Sequence, residues 1–273
     1  MASASSSTPA NDQWSAGKYN NNASFVYSKA FTNAVVQLLD PKPTDHILDL
    51  GCGSGELTLE IAPQVASIVG VDLSANLLAK AKANAAASSA GDNLTLIERD
   101  GHDLSTLPAE HQGAFDAVFS SAAMHWMKRE PKEVAKGAYG VLKKGGRFVS
   151  EMGGALNMVG VRSTLHQVLK RRGHEVEKLD PWYFPTPTEQ KRVLGKAGFR
   201  VESCELVPRI TPLPTGLSGW LETFGFAFLD HLSPTEKQEV IDEVCDALKV
   251  DMWSEDEGWV VMYVRLRFKA WKD

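Results

Sequence analysis

His46-Ile47-Leu48-Asp49-Leu50-Gly51-Cys52-Gly53-Ser54-Gly55 is the stretch whose reading decides the fold. A short apolar run carrying an acid ends in glycines that alternate with small residues. A buried parallel strand is therefore expected to feed a tight turn, with a helix from about Glu56 to Val65. Glycine serves where backbone must take a positive φ or approach a ligand more closely than a Cβ allows. At the carboxyl end of the first strand of a doubly wound sheet, such a turn is where a nucleotide-like ligand lies.

Outward from this stretch the pattern repeats. Ser67–Leu73 reads as a second apolar strand holding Asp72 near its end, and Ser74 can cap a helix over Ala75–Ala87. Leu94–Arg99 is a third strand, ending in Asp100-Gly101-His102. Phe115–Ser120 is a fourth and runs into Ser121-Ala122-Ala123-Met124-His125-Trp126. A helix over Pro131–Leu142 and a fifth strand over Arg147–Met152 follow. Strands alternating with helices predict an α/β fold, a parallel sheet covered on both faces. Before the quoted stretch, Val26, Ala30, Ala34 and Leu38 recur at helical spacing, and Pro41 and Pro43 end that helix. Beyond the fifth strand, helices are expected over 157–172 and 188–198, the latter capped by Thr186 or Thr188. A sixth strand is expected over 199–207, then helical stretches around 217–229 and 234–248, and a last strand over 258–271. Pro181-Trp182-Tyr183-Phe184-Pro185 is an aromatic loop between prolines.

The totals exclude several classes. The chain has 273 residues, 43% hydrophobic and 23% charged, with a net charge of -5, so it has enough apolar material for a full core and no broadly basic face for nucleic acid. Three cysteines, Cys52, Cys204 and Cys245, make no metal or disulfide spacing and fit a reducing, cytoplasmic setting. No apolar run is long enough to span a bilayer. Residues 1–13 read as a disordered tail and 14–273 as one domain. Within it, 14–44 form an N-terminal lid and helix, 45–152 a cofactor-binding core, 153–198 a substrate-side segment, and 209–257 a helical cap inserted before the last strand.

Asp49, Asp72 and Asp100 each stand at the end of a successive strand, and in a parallel sheet those ends share one edge. The middle acid can accept hydrogen bonds from both ribose hydroxyls. The glycine turn is G-x-G-x-G, which matches neither the dinucleotide fingerprint G-x-G-x-x-G nor a P-loop. Five runs, in order, resemble class I S-adenosylmethionine-dependent methyltransferases. They are Ile47 to Gly55, Val69 to Ser74, Asp100 to His102, Phe115 to Ser121, and Leu142 to Arg147. Trp14, Tyr19, Ala23 to Val26, Met124-His125-Trp126, and Glu151 to Asn157 resemble more narrowly the trans-aconitate and juvenile-hormone-acid group of small-molecule methyltransferases.

The resemblance implies a Rossmann-like seven-stranded sheet, mostly parallel with an antiparallel last strand. It implies S-adenosylmethionine as cofactor and methyl transfer to a small organic acceptor, often at a carboxylate oxygen. With the totals above, no metal, nucleic acid or membrane is expected as a partner, and the chain is expected to be a monomer or homodimer. Carried across, Asp49, Gly51, Cys52, Gly53 and Gly55 would hold the methionine end. Asp72 and Leu73 would meet the ribose, and Asp100, Gly101 and His102 the adenine. Ser120 and Ser121 would lie near the methyl, Tyr19 would close over the cofactor, and Trp126 would donate its indole N–H to the acceptor carboxylate. An ionised carboxylate needs no general base, whereas a phenol or amine acceptor could use His125. Plainer readings stand beside these: Tyr19 pinning a helix, Trp126 as packing, His125 as a structural histidine. Two rivals for the whole remain at this point, an NAD-dependent oxidoreductase on the same sheet and a non-catalytic adenosylmethionine-binding module.

Overall fold

The computed structural model describes residues 29–88 and 92–273. Seven strands lie in one row: β1 His46–Leu50, β2 Ser67–Asp72, β3 Leu94–Glu98, β4 Phe115–Ser121, β5 Leu142–Gly153, β6 Arg200–Pro212 and β7 Gly258–Trp271. Their order is β3-β2-β1-β4-β5-β7-β6. β1 to β5 pair in parallel, and β7 runs antiparallel to both β5 and β6. A two-residue strand, Trp253–Ser254, pairs with the start of β7. This is the expected Rossmann-like sheet with its antiparallel last strand.

The register sets the site. Leu50 pairs with Val71 and Asp72 with Glu98, so the carboxyl ends of β1, β2 and β3 finish level and their acids reach one edge. The helices have local causes. Ser74 accepts the Leu77 N–H and caps α3 (Ala75–Ala86). Thr186, not Thr188, caps α7 (Pro187–Ala197) in a reciprocal box with Glu189. α1 (Lys29–Leu39) buries Thr32, Val35 and Leu39, the last two one position on from the Ala34 and Leu38 of the expected stripe. Apolar residues crowd Ala34 to Leu39, so helical periodicity alone fits more than one face there. α2 (Glu56–Ile61) stops before Val65 because Pro63 diverts the chain into a single 3-10 turn.

Apolar clusters fill both faces of the sheet, Val35, Ile47, Ile61 and Phe119 on one side and Leu50, Leu104, Phe148 and Val134 of α4 (Pro131–Val141) on the other. A third cluster packs on Val261 and Tyr263, near the start of β7. It gathers α5 (Val161–Arg171), the short α6 (Val176–Leu179), the aromatic loop, α8 (Gly216–Phe224), α9 (Phe226–Leu229) and α10 (Pro234–Met252) around Leu165, Trp182, Leu221, Phe228 and Val244. β6 continues to Pro212, because its β-branched run suits an extended ladder with β7, so residues 209–212 of the segment expected to be helical are strand. α5 begins at Val161 and not at Asn157, since Met158 and Gly160 take positive φ and break a helix there.

Candidate active site

A cleft of about 420 Å³ opens at the shared carboxyl edge of β1, β2 and β4, within the range of small-molecule sites. Asp49, Gly51, Cys52, Gly53, Asp72, Leu73, Asp100, Gly101, His102, Ser121 and Trp126 all line it, so most of the residues singled out from the sequence come together. The turn after β1 is fixed by β2: the Gly51 and Cys52 N–H groups both donate to the Val71 carbonyl, at 2.8 and 3.1 Å. Gly51 has φ +76°, and a Cβ on it would stand 2.2 Å from that of Ala123. Only glycine keeps the turn open against the chain that leaves β4.

The acids differ in state. Asp72 accepts the Gly53 N–H on one oxygen and the Ser74 N–H on the other, each at 2.9 Å. Asp100 accepts both the backbone N–H and Nδ1 of His102, at 2.9 and 2.6 Å, and Arg129 at 2.9 Å. The His102 hydrogen bonds, with help from Arg129, hold its carboxyl far below the ordinary carboxylate range. Asp49 is different: it is 3% exposed and takes a 2.6 Å bond from the Thr58 hydroxyl. Burial, reinforced by the Asp72 charge, pushes it up to about 7. Cys52 is raised far above its ordinary value by burial and by Asp49 and Asp72, so it is a neutral filler and no nucleophile.

Several expected residues sit elsewhere. Ser120 does not reach the cleft: it is fully buried and donates to the Leu50 carbonyl at 2.7 Å. Successive strand residues face opposite ways, so Ser121 takes the cleft and Ser120 the interior. Gly55 stands behind the turn as the left-handed cap of α2, its Cα packed so that a Cβ would lie 3.1 Å from that of Ala81. Tyr19 lies outside the described residues. His125 faces a second cavity and not the cleft.

That second cavity measures about 40 Å³ and shares Ala122 and Trp126 with the cleft as lining residues. Ala122 has φ +57°, a left-handed step after β4 that turns the following chain across both cavities. Trp126 stacks on Phe226 of α9 at 5.6 Å and meets Trp182 edge-on at 6.1 Å. The rest of the wall combines Trp182, Phe184, Trp220, Phe224 and Tyr263 with Asn157, Arg209 and Arg265. Arg209 pairs across the ladder with Tyr263, and Arg265 lies two residues on along β7, so these side chains share one face. Arg265 is 6% exposed, and its Nε, 3.5 Å from Glu151 Oε1, makes no hydrogen bond. Glu151 is held instead by Arg267, through Nε at 2.9 Å and Nη2 at 2.5 Å. Burial, then the Arg265 charge, pulls the Arg209 guanidinium below its ordinary value. His125 accepts the Gly153 N–H on Nδ1 at 3.2 Å, which assigns its proton to Nε2. Burial and the Arg265 charge hold it well below the usual histidine range, so it is neutral.

Sequence reasoning missed Thr32, Phe119, Met127, Arg129 and Phe226 in the cleft. They come from four separate parts of the chain, and no local motif joins them. No local motif in the sequence marks Arg209 or Arg265. Alternation along β6 and β7 was the one available signal, and it needs the antiparallel register to become a location.

A family model described as a methyltransferase domain matches residues 47–146. An uncharacterized methyltransferase of Schizosaccharomyces pombe is 38% identical over 269 residues, covering 96% of this chain and 99% of that protein. A trans-aconitate 2-methyltransferase of Deinococcus radiodurans is 36% identical over 102 residues, 36% of this chain and 34% of that protein. Among solved structures, phosphoethanolamine N-methyltransferase 2 of Haemonchus contortus, in complex with S-adenosylhomocysteine, shares the fold with a TM-score of 0.58. It is 18% identical over 94% of this chain and 56% of that one. S-adenosylmethionine fits the cleft: Gly51 and Gly53 give its wall bare backbone, and Asp72 and Asp100 line the edge at which a ribose and an adenine would lie. The full-length relative, the matched domain and this cleft together make the chain a member of the S-adenosylmethionine-dependent methyltransferases.

Proposed function

We propose that this methyltransferase esterifies a small acid that carries a second anionic group. The observation behind this is the pair Arg209 and Arg265 in a small cavity next to the donor cleft. Arg265 and Arg267 both approach the buried carboxylate Glu151, and the Arg265 Nε makes no hydrogen bond to it, so an anion in this cavity would meet a guanidinium with a donor to spare. A water needs roughly 10–15 Å³ of such space, so about 40 Å³ admits only an end group the size of a carboxylate. The carboxylate clamped there is a spectator. Its lone pairs are engaged by cations, and Trp126 and Ala122 stand between it and the cleft. A second carboxylate of the same molecule is the one presented to the donor.

Bound in the cleft, S-adenosylmethionine supplies a methyl group on a sulfonium that is already a good leaving group. The chain contributes placement. Asp72 and Asp100 orient the nucleoside, Asp49 and the glycine turn take the methionine end, and Trp126 and the aromatic walls hold the acceptor and exclude water. Positioning of this kind supplies about 7–11 kcal/mol in well-oriented reactions. An ionised carboxylate needs no base, which agrees with a neutral His125 whose Nδ1 is already engaged. The helices between β6 and β7 act as a cap, reaching the cleft through Phe226. A compact, aromatic acceptor cavity and a net charge of -5 favour a small molecule over nucleic acid. The test is a panel of mono- and dicarboxylic acids with the purified protein and with Arg265→Gln. Dicarboxylates should turn over in preference, and the substitution should raise their KM by about 10–100-fold, the equivalent of about 1.5–3 kcal/mol for hydrogen bonds to a charged group. Equal turnover of matched monoacids would remove the spectator site.

A further inference from the structure

Asp180 joins three parts of the molecule at one buried carboxylate. Its Oδ2 accepts Arg162 Nε at 2.6 Å and His166 Nε2 at 2.9 Å. Its Oδ1 accepts the Trp182 N–H at 3.0 Å, and its main-chain carbonyl accepts Lys128 Nζ at 2.7 Å. Arg162 and His166 stand four apart on α5 and so share a face. Lys128 follows Met127, which lines the donor cleft. The segment that Asp180 anchors is the aromatic loop, and that loop serves both cavities. Pro181 lines the donor cleft, whereas Trp182 and Phe184 line the acceptor cavity. The loop is further tied by the Tyr183 N–H, which donates to the His125 carbonyl at 2.8 Å, and by the Arg162 guanidinium, 5.4 Å from the Phe184 ring centre. Trp182 and Phe184 stack at 5.7 Å with 13° between their planes.

A buried carboxylate is a costly way to fill space, and apolar replacements of buried ion pairs are often as stable or more so. What this one provides is geometry. Residue 181 goes to one cavity and residues 182 and 184 to the other, and the cation on the donor side, Lys128, is bonded to the same residue as the two groups on α5. We propose that Asp180 is a positioning residue that sets the separation and angle between the donor cleft and the acceptor cavity. It touches neither ligand and acts through Pro181, Trp182 and Phe184. The inference rests on the reading of the second cavity as the acceptor's site. In-line transfer needs reacting atoms about 3–3.5 Å apart, and a misplacement of about 1 Å costs on the order of a hundredfold.

The test is Asp180→Asn, which keeps the shape and the acceptor for the Trp182 N–H but removes the charge shared by Arg162 and His166. Kinetics are normalised to sites that bind S-adenosylhomocysteine, so that unfolded chains do not count. The expected result is an unchanged product affinity, within about twofold, with acceptor kcat/KM lowered about 10–100-fold. A loss in kcat at saturating acceptor should accompany it. Lys128→Met, which removes only the donor-side tie, should move the same quantities in the same direction by less, and it serves if Asp180→Asn does not fold. Wild-type acceptor kcat and KM in either folded variant, or an equal loss of product affinity, overturns the proposal. Failure of the acceptor reading shows separately, as absence of acid turnover by the parent protein, and removes this inference with it.

Discussion

The Asp72 carboxylate and the Gly53 N–H are 2.9 Å apart, so the acid at the end of β2 holds the turn at the end of β1 in place. In the proposed function Asp72 would serve donor binding twice, as an acceptor at the cleft edge and as the brace of the glycine turn. Asp72→Ala should weaken binding of S-adenosylhomocysteine by about 1–3 kcal/mol, read by equilibrium titration. Asp72→Asn, which can still accept the Gly53 N–H, should lose less. Wild-type affinity in the alanine variant would place Asp72 outside the donor site.

Asp49 should make donor binding and stability depend on pH in opposite senses. Its carboxyl is raised from 3.8 to about 7 in the folded chain. Between those values the folded protein keeps a proton that the unfolded chain has lost, so this group's contribution to stability is full below 3.8 and declines as pH rises toward 7. A cationic sulfonium favours the ionised form, so affinity for S-adenosylmethionine should increase from pH 6 to pH 8. Asp49→Asn should raise the melting temperature at pH 8 and flatten the pH dependence of donor affinity. A parent protein whose donor affinity is level across that range would contradict the assignment.

Gly51→Ala tests the turn itself. The new Cβ meets Ala123 at 2.2 Å and the residue must keep φ +76°. A loss of at least about 2 kcal/mol in urea unfolding is expected, from overpacking and a strained dihedral together. Adding Ala123→Gly should recover the part due to the collision and leave the part due to φ.

His125 should leave no trace in the pH profile of kcat. Its Nδ1 accepts the Gly153 N–H, and burial keeps the ring neutral. With donor and dicarboxylate both saturating, kcat should be level from pH 6 to pH 9. An ascending limb near the ordinary histidine value, lost in His125→Asn, would restore it as a general base.

The parts of this molecule that were legible in its sequence are those written locally. The strand ends at Asp49, Asp72 and Asp100 are each a run of apolar residues closed by an acid, and parallel pairing brings such ends together without further information. The choice between Ser120 and Ser121 was not legible, because parity along β4 depends on register and the two neighbours are the same residue type. Gly55 belongs to the same motif as Gly51 but serves helix packing, a distinction made by Ala81 from the next helix. Arg209 and Arg265 lie far apart in the chain, and only the antiparallel ladder of β6 and β7 sets them side by side. The second cavity is assembled from long-range contacts, which is why the residues nearest the turn bear on the donor and those farthest from it on the proposed acceptor.

The most direct measurement of the central claim is the chemistry of the product. The protein is incubated with deuterium-labelled S-adenosylmethionine and short dicarboxylic acids, and the products are examined by mass spectrometry before and after mild alkaline treatment. One labelled methyl per molecule, released by base to regenerate the dicarboxylate, is the predicted result: a monoester that keeps one free carboxylate. A label that survives base on carbon or nitrogen, or a panel in which no dicarboxylate acquires it, would contradict the account.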